Sequence, residues 1–200
     1  MAGGTLVGLT TEDGVLMAAD TRTSRGAIVR SEGVRKISQV HPTAVLGSTD
    51  DLGTAQSFVR AIRSEADRYE TSHGEPMDMT ALSTVAVTNL RERSMPEATF
   101  LLGGIDVDGP HLFTLGTDEG ALEEPYAAVG SGQQIAYGIL ATGVPQSLTT
   151  SKARLIAARA IQSAAERDVQ TGIGVHVAEI SDDGVDIHRY ESVDDLLEGC

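Results

Sequence analysis

The spacing of apolar residues switches from a period near two to a period near 3.6 and back along this chain, and that succession restricts the fold more than any other feature. Thr5-Leu6-Val7-Gly8-Leu9 alternates around a β-prone core, Glu12-Asp13-Gly14 supplies turn chemistry, and Val15-Leu16-Met17-Ala18-Ala19 reads as a buried strand ending at Asp20. These segments predict a hairpin. Further strands are expected at Ala27 to Val29, Val34 to Ile37 and Thr43 to Gly47. From Thr54 to Tyr69 the residues Ala55, Phe58, Val59, Ile62, Ala66 and Tyr69 recur at three and four, which predicts a helix with one apolar face. A second helix is expected from Met79 to Arg93, N-capped by Asp78, with Ala81, Leu82, Val85 and Leu90 turned inward. Strands return at Ala98 to Ile105 and His111 to Thr114, joined by Asp106-Val107-Asp108-Gly109, and another ends near Val129. Gln133 to Ala141 and Leu148 to Arg167 then read as helices. Ile173 to Ile180 and Val185 to His188 close the chain as a hairpin around Asp182-Asp183-Gly184.

Strands and helices that are segregated rather than strictly alternating predict an α+β fold, with antiparallel sheets whose outer faces are covered by helices. Two sheets face to face, each backed by a helix pair, form a four-layer αββα sandwich, one of a few arrangements that bury every apolar face. With 200 residues and 40% apolar content the chain can bury a core unaided, and no linker or repeat divides it, so residues 1–200 are expected to form one domain. No apolar run is long enough to cross a membrane, and Met1-Ala2-Gly3-Gly4 has neither a basic flank nor an apolar stretch, so a cytoplasmic protein is expected.

The net charge of -14 argues against nucleic acid as a partner, because that affinity draws on clustered Lys and Arg. Only Lys36 and Lys152 are lysines, and the acids are spread along the whole chain. This reads as a salt-adapted surface, with an ordinary acidic protein as the alternative. His41, His73, His111, His176 and His188 show no metal-ligand spacing, and the lone Cys200 has no partner within the chain, so no metal or cofactor is expected.

Several segments resemble consecutive signatures of β-type subunits of the 20S proteasome: Thr5-Leu6-Val7-Gly8-Leu9, the stretch from Asp13 through Asp20 to Thr23, and Val34-Arg35-Lys36-Ile37. The likeness continues through Gly53-Thr54-Ala55-Gln56-Ser57, Gly130-Ser131-Gly132 with Ala136-Tyr137-Gly138, and Arg167-Asp168-Val169-Gln170-Thr171-Gly172, so it covers almost the whole chain. An α-type subunit would carry an extra helix before the first strand, for which the four residues before Thr5 leave no room. The resemblance implies the N-terminal-nucleophile hydrolase fold, stacked rings with α-type and other β-type subunits as partners, and polypeptides as substrates where the subunit is active. In that family a threonine freed by propeptide cleavage attacks the peptide carbonyl, and its own α-amine, which titrates near neutrality, takes the proton. Carried over residue by residue, the resemblance has Asp20 hold Lys36 and Lys36 tune the nucleophile. Ser131 and Asp168 position the amine, Thr171 stands for the usual serine, and Thr23, Ser38, Ser48 and Leu52 line the specificity pocket. Taken singly these residues are commonplace: an Asp that ends a strand and a Ser between glycines are frequent turn features. Gly130-Ser131-Gly132 as a phosphate loop lacks the further glycine and strand context of such motifs.

Two positions depart from the pattern. Counting back without gaps from Asp20 and from Val7-Gly8, the nucleophile's place falls on Gly4, which has no side chain. Thr5 follows a glycine as a processed threonine does, yet it is one residue too near Asp20, and a one-residue slip turns a strand side chain to the other face unless a bulge compensates. Counting forward from Lys36, Asp50 falls where the family has the glycine whose amide stabilises the oxyanion, and a carboxylate there opposes the developing charge. Asp50-Asp51 also suits a helix N-cap. Three readings follow. One is a non-catalytic proteasome β-type subunit, with residues 1–4 as an N-terminal extension or propeptide remnant. A second is an active threonine endopeptidase processed at Gly4-Thr5 and using Thr5. The third is a standalone homo-oligomeric ring with a non-peptidase role.

Overall fold

The computed structural model describes residues 3–26, 28–95 and 98–198. The expected strand residue Ala27, the terminal Cys200 and Met1-Ala2 of the expected N-terminal extension lie outside that set.

Two five-stranded antiparallel sheets carry the architecture. The first has the order β10-β1-β2-β11-β12, built from β1 (Leu6–Thr11), β2 (Gly14–Asp20), β10 (Tyr126–Val129), β11 (Val175–Ser181) and β12 (Gly184–Tyr190). The second has the order β5-β6-β7-β8-β9, built from β5 (Ile37–His41), β6 (Ala44–Ser48), β7 (Thr99–Asp106), β8 (Gly109–Gly116) and β9 (Gly120–Glu123). Helices α1 (Leu52–His73) and α2 (Met79–Glu92) cover the second sheet. Helices α3 (Gln133–Gly143) and α4 (Thr150–Ala165) cover the first, with a short α5 (Val193–Glu198) against α4.

Period-two alternation assigns each strand residue to one of three apolar layers. In β2, Val15, Met17 and Ala19 face the opposite sheet, while Leu16 and Ala18 face the helices. In β6, Val45 faces the first sheet, whereas Ala44 and Leu46 meet Phe58, Ile62 and Leu82. The sheets approach closely because glycines stand where they touch: a Cβ at Gly47 would lie 2.7 Å from a Leu6 methyl, and one at Gly103 would lie 2.8 Å from the Met17 sulfur. The result is the four-layer αββα sandwich that the segregated pattern predicts.

Helix starts follow local capping chemistry. Asp51 caps α1 by accepting from Gly53 N at 3.1 Å and Thr54 N at 3.2 Å, and Asp78 caps α2 by accepting from Ala81 N at 2.6 Å. The expected strand at Ala27 to Val29 falls on a strand at Ile28 and Val29, whereas the one at Val34 to Ile37 is corrected. The ribbon there is β3 (Thr23–Arg25) paired with β4 (Ile28–Ser31), and residues 32–36 form a connector that enters β5 only at Ile37. Two further differences are β9 and α5, neither of which the apolar pattern announces. The final hairpin begins at Val175, leaving Ile173 exposed.

One polar clasp ties α2 to the second sheet. Asp106 accepts from Met79 N at 2.8 Å, and His111 places Nδ1 2.6 Å from Glu123 Oε1 and Nε2 3.1 Å from Asp106 Oδ1. Both ring nitrogens face carboxylates, so the ring satisfies them only when doubly protonated. Burial by itself lowers the His111 pKa, but the carboxylates of Glu123 and Asp106 outweigh it and raise the pKa above its ordinary value. A raised native pKa gives stabilisation that is complete below the unfolded value of about 6.5 and is lost as pH rises through the native value. Melting followed by circular dichroism is therefore expected to fall on going upward from about pH 6, and His111→Asn should remove that component of the fall.

Candidate active site

Asp20 closes β2 and is fully buried. Its Oδ1 accepts from Thr5 N at 2.7 Å and from Lys36 Nζ at 2.7 Å, and its Oδ2 accepts from Arg22 N at 2.9 Å and Gly172 N at 2.8 Å. Four donors on one carboxylate make this the polar centre of the site. Lys36 reaches it from the connector before β5, and its Nζ also donates to Gly3 O at 3.3 Å. Burial pushes the Lys36 ammonium below its ordinary pKa, with the Asp20 carboxylate opposing the shift.

A second polar cluster lies on the other flank of the N-terminal strand. Ser131 Oγ donates to Asp168 Oδ2 at 2.6 Å and accepts from Gly4 N at 2.9 Å. Thr171 Oγ1 donates to the same carboxylate oxygen at 2.6 Å. Thr5 Oγ1 is 2.7 Å from Thr171 Oγ1, and since the Thr171 proton is already committed to Asp168, Thr5 is the donor. The Gly130-Ser131-Gly132 turn must pass the strand closely. Added Cβ atoms would lie 2.2 Å from Gly4 O at Gly130 and 2.2 Å from Thr5 Oγ1 at Gly132, so neither position accepts a side chain unless the strand moves.

These contacts settle the register of the first strand. A Cβ on Gly4 would lie 2.0 Å from Lys36 Nζ and 2.4 Å from Asp20 Oδ1, so Gly4 is the residue that faces the Lys36–Asp20 pair. Thr5 faces the opposite way, fully buried against Thr171. No bulge corrects the slip: β1 and β2 pair without interruption from Leu6 with Ala19 to Thr11 with Gly14, and Asp20 N donates to Thr5 O at 3.0 Å.

Asp50 turns its carboxylate toward the start of β7, where Oδ2 accepts from Thr99 N at 2.9 Å. Burial pushes the Asp50 carboxyl pKa up, against the lowering effect of the Thr99 amide and the Ser48 hydroxyl. The Asp50 amide itself donates to Ser48 Oγ at 3.0 Å, so this N–H already has an acceptor within the protein. Thr23, Ser38, Ser48 and Leu52 do line one recess of about 30 Å³ together with Lys36 and Asp50, and beside it a cleft of about 920 Å³ is lined by Gly3, Thr23, Thr49, Asp50, Gly130 and Ser131.

The structure thus brings Asp20 and Lys36 together on one side, and Ser131, Asp168, Thr171 and Thr5 together on the other. What sequence reasoning missed are backbone groups, the amides of Arg22 and Gly172 on Asp20 and the Gly3 carbonyl on Lys36, which no residue type announces. Chemically, the first cluster can hold and polarise a hydroxyl and the second can hold an amine or amide N–H. Neither presents a nucleophilic side chain to the other. Among the described residues no group of three or more His, Cys, Asp or Glu is placed to hold a metal ion.

The family described as Proteasome subunit matches residues 1–180. Proteasome subunit beta of Natrialba magadii is 42% identical over 196 residues, spanning 98% of this chain and 81% of the relative. That of Halorubrum lacusprofundi is 42% identical over 195 residues, spanning 98% and 80%. That of Halobacterium salinarum is 41% identical over 196 residues, spanning 98% and 81%. With that family match over residues 1–180 and these halophilic archaeal relatives aligned over nearly its full length, the chain belongs to the proteasome subunit family, as a β-type subunit of the archaeal kind.

Proposed function

We propose that this β-type subunit occupies a position in a protein-degrading particle without cutting peptides itself, and that it contacts α-type and other β-type subunits in stacked rings. The observation that carries the reading is Gly4. The residue that faces Lys36 and Asp20 has no hydroxyl to deliver, and the next residue, Thr5, spends its hydroxyl on Thr171. Asp50 supports the same reading, since the amide expected to hold an oxyanion donates to Ser48. Asp20, Lys36, Ser131, Asp168 and Thr171 then act as the polar frame that fixes the N-terminal strand. The competing reading, cleavage at Gly4-Thr5 with Thr5 as nucleophile, requires Thr5 to leave Thr171 and turn toward Lys36. The test is hydrolysis of fluorogenic peptides by the purified chain, alone and co-expressed with an α-type subunit. Turnover is expected to equal that of the Lys36→Ala variant; a clear excess in the unmodified chain would contradict the proposal.

A further inference from the structure

Lys36 carries more chemistry than a structural ion pair uses. Every cationic side chain of this protein other than Lys36 and Lys152 is an arginine, and a guanidinium, which stays protonated and forks onto both oxygens, suits a buried carboxylate better than an ammonium does. Lysine adds one property: its amine, once deprotonated, is a nucleophile that forms imines with carbonyl compounds. The position of Nζ fits that use. A Cβ on Gly4 would lie 2.0 Å from it, so the amine stands where a side chain at residue 4 would begin. Burial lowers the Lys36 pKa; Asp20 and Asp168 oppose the shift and Arg22 reinforces it. The amides of Thr5, Arg22 and Gly172 share the Asp20 charge, which weakens the hold of that carboxylate on the lysine proton.

An acid lines the same recess. Asp50 shares that wall with Lys36, Thr23 and Ser38, and Val59 and Phe100 make part of it apolar. Asp50 Oδ2 accepts from Thr99 N at 2.9 Å and from Ser48 Oγ at 3.1 Å, while its Oδ1 has no hydrogen-bond partner among the described residues. Burial and the neighbouring Asp51 raise the Asp50 pKa against those two donors, so this carboxyl keeps a proton to higher pH than an ordinary one. An amine and a protonated carboxyl on one small recess are the two groups that imine formation needs, one to attack the carbonyl carbon and one to carry its oxygen off as water.

We infer that Lys36 is a covalent site for small uncharged aldehydes, with Asp50 as the proton donor. The nitrogen lone pair bonds to the aldehyde carbon, and the carbonyl oxygen takes a proton from the nitrogen, giving a carbinolamine. Asp50 protonates that hydroxyl, which leaves as water while the nitrogen lone pair forms the C=N bond. The resulting iminium returns its proton to Asp50. One aldehyde and one amine thus give one imine and one water, with no change of oxidation state. The narrow recess selects for size, and Asp50 with Asp51 disfavours anionic carbonyl compounds such as α-oxo acids. The inference rests on the reading that residue 4 brings no hydroxyl to this place, and not on the position of the chain in a ring.

The test treats the purified full chain with glycolaldehyde and sodium cyanoborohydride, which reduces an imine to a stable secondary amine, and locates the adduct by mass spectrometry of proteolytic peptides. With Lys36 and Lys152 as the only lysines, the adducts on each and on the chain's α-amine are read separately. At neutral pH Lys36 should be modified at least about tenfold faster than the exposed Lys152, and its rate should level off at lower pH than that of N-acetyl-lysine, whose side chain titrates near 10.4. Asp50→Asn should slow modification of Lys36 about tenfold and leave Lys152 unchanged, and Lys36→Arg should remove that adduct alone. Unchanged circular dichroism shows that the variants fold. Modification of Lys36 no faster than of Lys152, or only in urea, would overturn the inference, and an unaltered rate in Asp50→Asn would overturn the assignment of the proton donor. Peptide hydrolysis, measured on the same untreated samples, would overturn only the non-catalytic reading.

Discussion

Asp20→Ala is expected to destabilise the fold by about 3–5 kcal/mol, the range for removing one partner of a buried ion pair. For a domain of this size that is a fall in melting temperature on the order of 10 °C. The loss is large because the carboxylate serves two purposes. It neutralises Lys36, and it accepts the amides of Thr5, Arg22 and Gly172, three N–H groups that would lose this acceptor with it. Lys36→Met should cost less, because the three amides still support the remaining carboxylate and the amine already has a lowered pKa. Urea unfolding of the three proteins checks the order, wild type above Lys36→Met above Asp20→Ala. A change below about 0.5 kcal/mol for Asp20→Ala, the scale of a surface substitution, would show that the polar frame does not hold the strand.

Gly4→Thr, the substitution that returns a hydroxyl to the place facing Lys36, is expected to destabilise the protein and still give no peptidase. Gly4 has φ +111°, a backbone conformation that a β-branched L-residue does not adopt without strain of about 1–3 kcal/mol. The new Cβ would also press on Lys36 Nζ and Asp20 Oδ1, adding an overpacking cost of about 1–3 kcal/mol, reduced where the lysine end can swing aside. Activity would remain absent because Asp50 stays in place with its amide turned to Ser48. Combining Gly4→Thr with Asp50→Gly is the variant from which measurable turnover is expected, and it will lack the carboxylate that accepts the Thr99 amide. Thermal melting and fluorogenic peptide hydrolysis on the same preparations check both halves. Strong activity from Gly4→Thr alone would mean that Asp50 does not oppose the oxyanion.

Much of the sandwich was legible because its strands lie between a helix layer and a second sheet, so alternate residues belong to different apolar layers. Val15, Leu16, Met17, Ala18 and Ala19 are all apolar for that reason, and the long faces of α1 and α2 follow from the same burial. Val34, Arg35 and Lys36 of the connector read as strand because an extended segment and a strand share one side-chain period; what separates them is whether a neighbouring ladder exists, which is a tertiary fact. Short β9 buries little and leaves no periodicity. Helix α5 did carry a signal: Ser192 stands three residues before Asp195, whose amide donates to Ser192 Oγ at 3.2 Å, the spacing of an N-terminal cap. At the site, counting back from Asp20 and from Val7-Gly8 led to Gly4, the residue whose added Cβ would meet Lys36 and Asp20, since strand spacing is rigid over so short a distance. The positive φ of Gly4, the burial of the Thr5 hydroxyl on Thr171 and the turn of Asp50 toward Thr99 depend on contacts more than forty residues distant in sequence or on backbone torsions, and residue identity encodes neither.

The central claim, that no free threonine amine exists beside Lys36, is tested most directly by the intact mass of the protein purified from assembled particles. The account predicts a chain that retains Gly4. A mass corresponding to a chain that begins at Thr5 would contradict it, because the cleavage itself would demonstrate a working nucleophile and leave Thr5 with the free amine that the family's chemistry uses.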